Sequence, residues 1–407
     1  MTITREEELR LLDADYYVKN GYPFEVWDKL RKEDPIHYVE RGKDSYWAVT
    51  RHQDIISIES QAAIFENGPK LSFDDPSEGN VNMIINMDHE KHRAFRGLVS
   101  KHFMPKGISW ARSYTSEIIN EALDRAMAHN GEVIDLMASI AAPVPVSVIA
   151  RYLGVPKHLW PKLVDWTDHI VGAGDPEYGK GGNIKEVALK AWQEMWKVYE
   201  GLFEERRTNP QDDLITNLLN AKINGEPIGE MELYSMLGIL TTAGHETTKS
   251  AICGGIYTLI THPDQFEKVK KDPGLIPSMV DEILRWISPS VHFCRTPNRD
   301  VEVGGKKIRA GETMVMFYPS ANRDEDVFKD PYKFDIERRS NRHMAFGTGP
   351  HICLGMHLAK LELVSVFEQL LPRLEHMETA GDIELVRTCV VGPIKRLPVR
   401  ATILPRA

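Results

Sequence analysis

The sequence is poor in cysteine and has no long apolar run. Its 407 residues contain four cysteines, none spaced as a CxxC pair, so the spacing predicts neither a zinc site nor a disulfide framework. No segment reaches the roughly 18 consecutive apolar residues of a membrane-spanning helix. The N-terminal stretch MTITREEELR is charged where a signal peptide is apolar. These absences favour a cytoplasmic protein that does not enter a membrane.

Positive charge is also in short supply. The chain carries 50 Lys and Arg against 59 Asp and Glu, a formal net charge of −9, without a basic run. Nucleic-acid binding requires a positive surface, because phosphate contacts supply most of the non-specific affinity. No repeat or linker-like tract interrupts the sequence. We therefore expect residues 1–407 to form one domain that does not bind nucleic acid.

Helical periodicity dominates the pattern. From about residue 88 to residue 380, apolar residues recur three and four positions apart. Strand signals are short, and they lie at 46–50, 301–309 with a Gly304-Gly305 turn, 313–318, around Val390, and at 398–404. The sequence predicts a mainly α fold with small β-sheets. The glycine-rich segment 172–183 is expected to be a mobile surface loop and a candidate lid.

The strongest local signal is FGTGPHICLG at 346–355, which precedes an apolar helical segment at 354–371. Cys353 is expected at the start of that helix. Unpaired backbone N–H groups and the helix dipole there favour a thiolate over a thiol and lower the pKa. A lone apolar cysteine is usually an inert core residue, but the neighbouring glycines and His351 favour a ligand.

A second signal is a long helix with polar residues in its middle. Residues 230–262 contain no proline and precede Pro263, so a helix of about 30 residues and about 45 Å is predicted. Its centre reads AGHETT at 243–248. Gly244 and Thr247 are poor helix formers, so a local distortion is expected. Taken alone, the segment favours an ordinary helix in which Gly244 allows close packing and Glu246 faces solvent.

These motifs together resemble the cytochrome P450 family. The haem-binding loop of the family is matched at Phe346, Gly347, Gly349, His351, Cys353 and Gly355. AGHETT is similar to the family's oxygen-activation motif, and Glu282 with Arg285 matches its ExxR motif. The resemblance covers nearly the whole chain. It implies the cytochrome P450 fold, a triangular helical domain that encloses haem b (iron protoporphyrin IX).

The resemblance also implies roles for single residues. Cys353 would be the axial ligand of the haem iron, with Phe346 packed near its sulfur and Gly355 in the same loop. The family's propionate-binding positions correspond to His92, Arg96, Arg295 and His351. Guanidinium groups suit such carboxylates because they donate two parallel hydrogen bonds.

Over the iron, the resemblance assigns Ala243 and Gly244 to the oxygen groove. Thr247 would hydrogen-bond the reacting oxygen and Glu246 would relay protons from solvent. Three further residues, Glu282, Arg285 and Arg338, are expected to be structural.

A small hydrophobic substrate is the further implication. The regions that contact substrate in this family contribute apolar side chains here, namely Ile84, Ile85, Leu237, Leu240, Val291, Phe293 and Val391. Phrases such as TTAGHETT and LIPSMVDEILRW resemble the bacterial branch that hydroxylates terpineol-like monoterpenes. The expected function is insertion of one oxygen atom from O2 into a C–H bond of a terpenoid or alkyl-aromatic compound.

Electrons would come from an iron-sulfur ferredoxin and its NAD(P)H-dependent reductase. The expected docking cations are Arg93, Lys101, Lys106, Arg342 and Lys360. Three alternatives stay open: a sterol side-chain or fatty-acid hydroxylase of the same family, a haem-thiolate sensor or binding protein, and a peroxide-using enzyme. The pair Glu246-Thr247 counts against the sensor, and the absence of Arg-Pro at that place counts against the peroxide-using enzyme.

Overall fold

Helix is the dominant element of the computed structural model, which describes residues 3–73, 83–392 and 394–406. Within these residues the α-helices are α1 Arg5–Arg10, α2 Ala14–Asn20, α3 Phe24–Glu33, α4 His52–Glu59, α5 His89–Phe103, α6 Ala111–Met127, α7 Pro143–Leu153, α8 Trp160–Val171, α9 Pro176–Gly179, α10 Ile184–Thr208, α11 Leu214–Leu219, α12 Glu230–Thr261, α13 Pro263–Lys271, α14 Ile276–Ile287, α15 Tyr318–Ala321 and α16 Met356–Arg373. Short 3₁₀ turns lie at Gly42–Asp44, Ile84–Asn86, Lys157–Leu159, Pro273–Leu275 and Gly349–His351, and a π-helical turn at Met137–Ala141.

The strands are short and form small sheets. They are β1 Ile36–Val39, β2 Tyr46–Val49, β3 Phe65–Glu66, β4 Val133–Asp135, β5 Lys222–Ile223, β6 Glu226–Pro227, β7 His292–Pro297, β8 Val301–Val303, β9 Lys306–Ile308, β10 Thr313–Phe317, β11 Leu374–Thr379, β12 Glu384–Leu385, β13 Ile394–Arg396 and β14 Pro398–Ile403. The largest sheet has the order β1-β2-β10-β7-β3, and a second has the order β11-β14-β4. In the first sheet β10 is parallel to β2, with Thr313 opposite Tyr46, and antiparallel to β7. The predicted mainly α class with small sheets is confirmed.

The strand predictions have mixed outcomes. The strands predicted at 46–50, 301–309, 313–318 and 398–404 are present as β2, β8 with β9, β10 and β14. Gly304 and Gly305 form the hairpin turn with φ of +56° and +76°, as a two-residue turn of this kind requires. The strand predicted around Val390 is wrong, because that region makes only an isolated bridge between Ser290 and Val391. The sequence missed β7, which lies between β10 and β3 and is nearly all buried.

The long helix α12 runs through the core as predicted, from Glu230 to Thr261. Its glycines allow neighbouring helices to approach closely. A Cβ at Gly254 would lie 2.8 Å from Ile287 of α14, and one at Gly255 would lie 2.9 Å from Ile283. The distortion expected near Gly244 is wrong, because the α-helix is continuous. Thr247 satisfies its hydroxyl within the helix by donating to the carbonyl of Ala243 at 2.9 Å.

A buried ion cluster connects α14 to the chain that precedes the cysteine loop. The carboxylate of Glu282 accepts two hydrogen bonds from Arg285, each 2.8 Å long, and one from Arg338 at 3.0 Å. Arg285 also donates to the carbonyls of Asn322 and Pro331, both at 2.8 Å. The side chains of Glu282 and Arg285 have no exposed area. Because every charge has close partners, burial of the cluster is compensated.

Removal of the shared carboxylate should destabilise the fold. Glu282→Gln leaves the guanidinium groups of Arg285 and Arg338 without a counter-charge, so we expect the free energy of unfolding to fall by about 3–5 kcal/mol. Urea unfolding followed by circular dichroism measures it. The matched control is Lys268→Gln, whose pair with Glu337 is 39% and 54% exposed and should contribute below about 1 kcal/mol. Equal destabilisation by the two variants would contradict the analysis.

Candidate active site

One cavity brings the cysteine loop and the centre of α12 together. Most of the predicted cofactor and oxygen-groove residues line it. These residues are His92, Arg96, Ala243, Gly244, Thr247, Arg295, Phe346, His351, Cys353 and Gly355. The chain therefore places a single thiol, a hydroxyl and a group of cations around one space.

Backbone contacts shape the loop that carries Cys353. The N–H of Cys353 donates to the carbonyl of Phe346 at 2.9 Å and closes the loop. Gly349 has φ of +68°, and a Cβ there would overlap the carbonyl oxygen of Glu59, so only glycine fits. Helix α16 begins at Met356. The N–H groups of Gly355 and Met356 donate to the sulfur of Cys353, as expected for a thiol near a helix start.

The expected lowering of the Cys353 pKa is wrong. Burial by the surrounding protein raises the pKa of the Cys353 thiol, and it outweighs the backbone N–H groups and the nearby Arg96, which lower it. The free energy lost by desolvation of the thiolate is larger than the free energy gained from these donors. A metal ion bound at the sulfur supplies the missing positive charge, so deprotonation of this thiol is linked to metal binding.

A cationic group lies beside the thiol. The rings of His92 and His351 stack with centroids 3.8 Å apart, and Arg96 donates to the carbonyl of Ile352 at 2.6 Å. Burial and then Arg96 lower the pKa of His92 to about 4. Burial and then His92, Arg295 and Arg96 lower the pKa of His351 to about 3. The two imidazoles are therefore neutral at pH 7 and the guanidinium of Arg96 has no carboxylate partner among the described residues. The carboxylates of a buried cofactor fit this donor set.

Glu59 is a site residue that the sequence analysis missed. Its carboxylate accepts hydrogen bonds from Arg295 at 2.9 Å, from the hydroxyl of Tyr318 at 2.6 Å and from the N–H of Thr348 at 2.9 Å. It therefore holds Arg295 and the cysteine loop together. In the sequence Glu59 ends an amphipathic helix and resembles an ordinary surface charge, so no local signal identifies it.

Glu246 lies in a different environment from the one expected. Its carboxylate is 2.8 Å from the ammonium of Lys249 and 3.1 Å from His245, and its side chain is 8% exposed. His245 is 2.9 Å from the hydroxyl of Thr167 on α8. The solvent-facing alternative for Glu246 is therefore wrong, whereas its role in relaying protons stays a prediction. Glu246 forms a buried ion pair with Lys249, a partner that the sequence analysis missed.

A second cavity adjoins the first. Ile85, Ala243, Thr247 and Phe293 line both. Among the other predicted pocket residues, Val391 lines the second cavity, and Ile84 and Leu240 line the first. The sequence analysis missed several lining residues, among them Leu71, Ile170, Trp192 and Ile239.

Leu237 and Val291 do not line either cavity. Leu237 has no exposed area and belongs to the core between α10 and α12, where a Cβ at the next residue, Gly238, would overlap Trp192. Val291 packs with the N-terminal helices, and its N–H donates to the carbonyl of Val390 at 2.9 Å. Close packing on these sides directs the two side chains away from the cavities.

Segment 172–183 forms part of the cavity wall and is attached at Asp175. Asp175 is 2% exposed. It accepts hydrogen bonds from the ammonium of Lys395 at 2.8 Å and from the N–H of Arg387 at 2.9 Å. Ala173 and Gly174 line the second cavity. The segment is therefore partly buried and not wholly on the surface, whereas its mobility and its role as a lid stay predictions.

The sequence of this chain is similar to known proteins along nearly its whole length. The Cytochrome P450 family model matches residues 14–273 and 274–389. The chain belongs to the cytochrome P450 family. It is 35% identical over 402 residues to Cytochrome P450-terp of a Pseudomonas species, which covers 94% of this chain and 93% of that protein. It is 32% identical over 402 residues to Linalool 8-monooxygenase of Pseudomonas putida, with 96% and 98% covered.

A solved structure agrees. The crystal structure of CYP108D1 from Novosphingobium aromaticivorans superposes with a TM-score of 0.89 at 34% identity, covering 98% of this chain and 99% of that one. As a cytochrome P450 the chain is a haem-thiolate monooxygenase with haem b as its cofactor. No helix in the described part of the chain has both the length and the apolar character needed to cross a membrane.

Cys353→Ser should remove the spectral signature of thiolate ligation. The reduced wild-type cytochrome P450 with carbon monoxide should show the absorption band typical of a thiolate ligand, and the variant should lose it because a hydroxyl does not replace a soft sulfur donor. The control is Cys253→Ala, which removes a thiol buried within α12 and should keep the band. Retention of the band in Cys353→Ser would contradict the assignment of the ligand.

Proposed function

We propose that this cytochrome P450 hydroxylates a small terpenoid or alkyl-aromatic compound with electrons from an iron-sulfur ferredoxin. The observation that carries the proposal is the apolar second cavity, which opens beside Thr247 and Ala243. The similarity to Linalool 8-monooxygenase over 96% of the chain supports a terpenoid.

Haem, when bound, supplies the activation of O2. We assign the sulfur of Cys353 to the iron, with Phe346 and Gly355 beside it in the loop. His92, Arg96, Arg295 and His351 fit the two propionates because all four line the cavity that Cys353 lines and all carry N–H donors. Ala243 and Gly244 keep space for oxygen because neither carries a long side chain.

Thr247 is assigned to the steering of protons. Its hydroxyl donates to the carbonyl of Ala243, which leaves its oxygen lone pairs available to accept a proton donor from either cavity. Its place on the wall common to both cavities puts the hydroxyl between the cofactor space and the substrate space. Thr247 therefore holds a proton at Oγ1 where the reacting oxygen needs it.

The walls of the second cavity select the substrate by desolvation. Side chains such as Ile85, Ile239, Phe293 and Val391 offer no hydrogen bonds. A sugar or a carboxylate would lose its water shell without a replacement, whereas a hydrocarbon loses little.

Most of the five cations expected at the ferredoxin surface are exposed and unpaired among the described residues. Arg93, Lys101 and Lys106 of α5 and its following turn are exposed, and among the described residues none of the three has an ion-pair partner. Lys360 is instead paired with Asp281 at 2.7 Å. A negatively charged ferredoxin would be attracted to the free cations, and this attraction weakens with salt.

Linalool and other monoterpenes should bind the holoenzyme more tightly than palmitate or glucose. Apolar ligands gain about 25 cal/mol per Å² of buried apolar area, without an unpaired polar group. Titration of the spin-state change of the haem measures the dissociation constants. Binding of the carboxylate or the sugar alone would contradict the substrate class and leave the family assignment intact.

Thr247→Ala should uncouple electron consumption from product formation. We expect substrate binding and NAD(P)H consumption to persist while the product formed per NAD(P)H falls about tenfold, the equivalent of one hydrogen bond to a charged group of about 1.5 kcal/mol. The electrons from NAD(P)H that do not form product should appear as hydrogen peroxide. Thr247→Ser, which restores the hydroxyl, is the control, and wild-type coupling in Thr247→Ala would contradict the assigned role.

A further inference from the structure

A buried cluster of three charged residues lies between α12 and α8. The ammonium of Lys249 is 2.8 Å from the carboxylate of Glu246 and 2.6 Å from that of Asp168. The side chains of Glu246 and Lys249 are 8% and 9% exposed, and that of Asp168 is 18% exposed. Asp168 is therefore the member of the cluster with the most contact with solvent.

The charges in this cluster do not balance. Two carboxylates share one ammonium, and a buried charge without a counter-charge is costly. Protonation of one carboxylate removes the excess negative charge. Burial raises the pKa of Asp168, and Glu246 raises it further against the effect of Lys249. Burial would also raise the pKa of Glu246, but Lys249 and His245 together lower it. Asp168 therefore takes up a proton more readily than Glu246.

Both carboxylates line one small cavity. Asp168, Glu246 and Lys249 line it, together with the side chains of Tyr178 and Thr388. These groups offer the two to four polar partners that an internal water requires. Glu246 also lines the second cavity, as does Thr247. Glu246 thus lies between the small cavity that it shares with Asp168 and the cavity that it shares with Thr247.

The remaining charged groups around the cluster are few. From α12, His245 faces Glu246 at 3.1 Å. From α9, the Tyr178 ring faces both carboxylates, which raise the pKa of its phenol after the larger effect of burial. Lys395 lies over that ring at 5.5 Å. None of these provides a second close cation for Asp168, so Lys249 is its only ion-pair partner among the described residues.

We propose that Asp168 is a positioning residue that resupplies Glu246 with protons across the small cavity that both line. In this step the Asp168 carboxyl gives its proton to a bridging water, and that water gives a proton to the Glu246 carboxylate. The negative charge moves from Glu246 to Asp168 while Lys249 stays protonated. Asp168 then regains a proton from bulk water. No oxidant or reductant takes part.

Infrared spectroscopy of the holoenzyme tests which carboxylate holds the proton, without substrate or ferredoxin. As the pH falls, a carboxylic-acid C=O band should appear in the wild type. Asp168→Asn should remove this band. Glu246→Gln should keep it but move it to lower pH, because Asp168 loses a negative neighbour. Removal of the band by Glu246→Gln and its survival in Asp168→Asn would overturn the proposal.

Turnover of linalool gives the second measurement. Asp168→Asn should slow product formation per haem about tenfold, less than the 10²–10⁴-fold effect of a group that transfers the proton directly, and should change the solvent isotope effect. The wild-type rate should fall as the pH rises through the pKa of Asp168, and the variant should lack that fall. Asp168→Glu should restore both the wild-type rate and its fall with rising pH.

The control for turnover is Asp165→Asn, the same change at a 65% exposed position of the same helix. It should leave the rate and pH profile as in the wild type. Haem content and the linalool spin-state change are measured first, so loss of the fold or of the substrate assignment is distinguished from loss of proton supply. A wild-type rate and pH profile in Asp168→Asn would overturn the proposal.

Discussion

Two buried carboxylates hold the loop that presents Cys353. Glu282 fixes Arg285 and Arg338, and Arg285 in turn holds the backbone at Asn322, whose side chain accepts the N–H of Met344 at 2.6 Å. Glu59 holds the other side of the loop through the N–H of Thr348. A loop without regular secondary structure lacks a regular pattern of backbone hydrogen bonds. These charge-assisted hydrogen bonds hold the loop in position instead. The position of the sulfur depends on both acids.

The cavity beside this loop is electrostatically incomplete without a cofactor. Burial and adjacent positive charge lower the pKa of His92 and His351, and burial raises the pKa of the Cys353 thiol. A cofactor with a central cation and peripheral anions relieves both effects at once. Because it binds the folded chain and not the unfolded one, it also stabilises the fold. The same residues thus serve cofactor retention and stability.

The sequence predicted features that depend on local pattern. The limits of α12 follow from a proline-free segment that ends before Pro263, and the β8–β9 hairpin follows from Gly304-Gly305. It did not predict features that depend on pairing over long distances. Glu59 and Asp168 are acids on ordinary amphipathic helices, and their partners come from distant segments. Leu237 has the right residue type for a pocket, but helix packing directs it to the core.

The attachment of segment 172–183 has a consequence for the order in which the enzyme assembles. Lys395 binds Asp175 across 220 positions of sequence, and Arg387, Thr388 and Val391 complete the wall of the substrate cavity. During synthesis the N-terminal part emerges first, so α8 and α12 are available long before this wall can close. Closure of the substrate cavity is therefore a late event in folding, because it requires residues that are synthesised after α8 and α12.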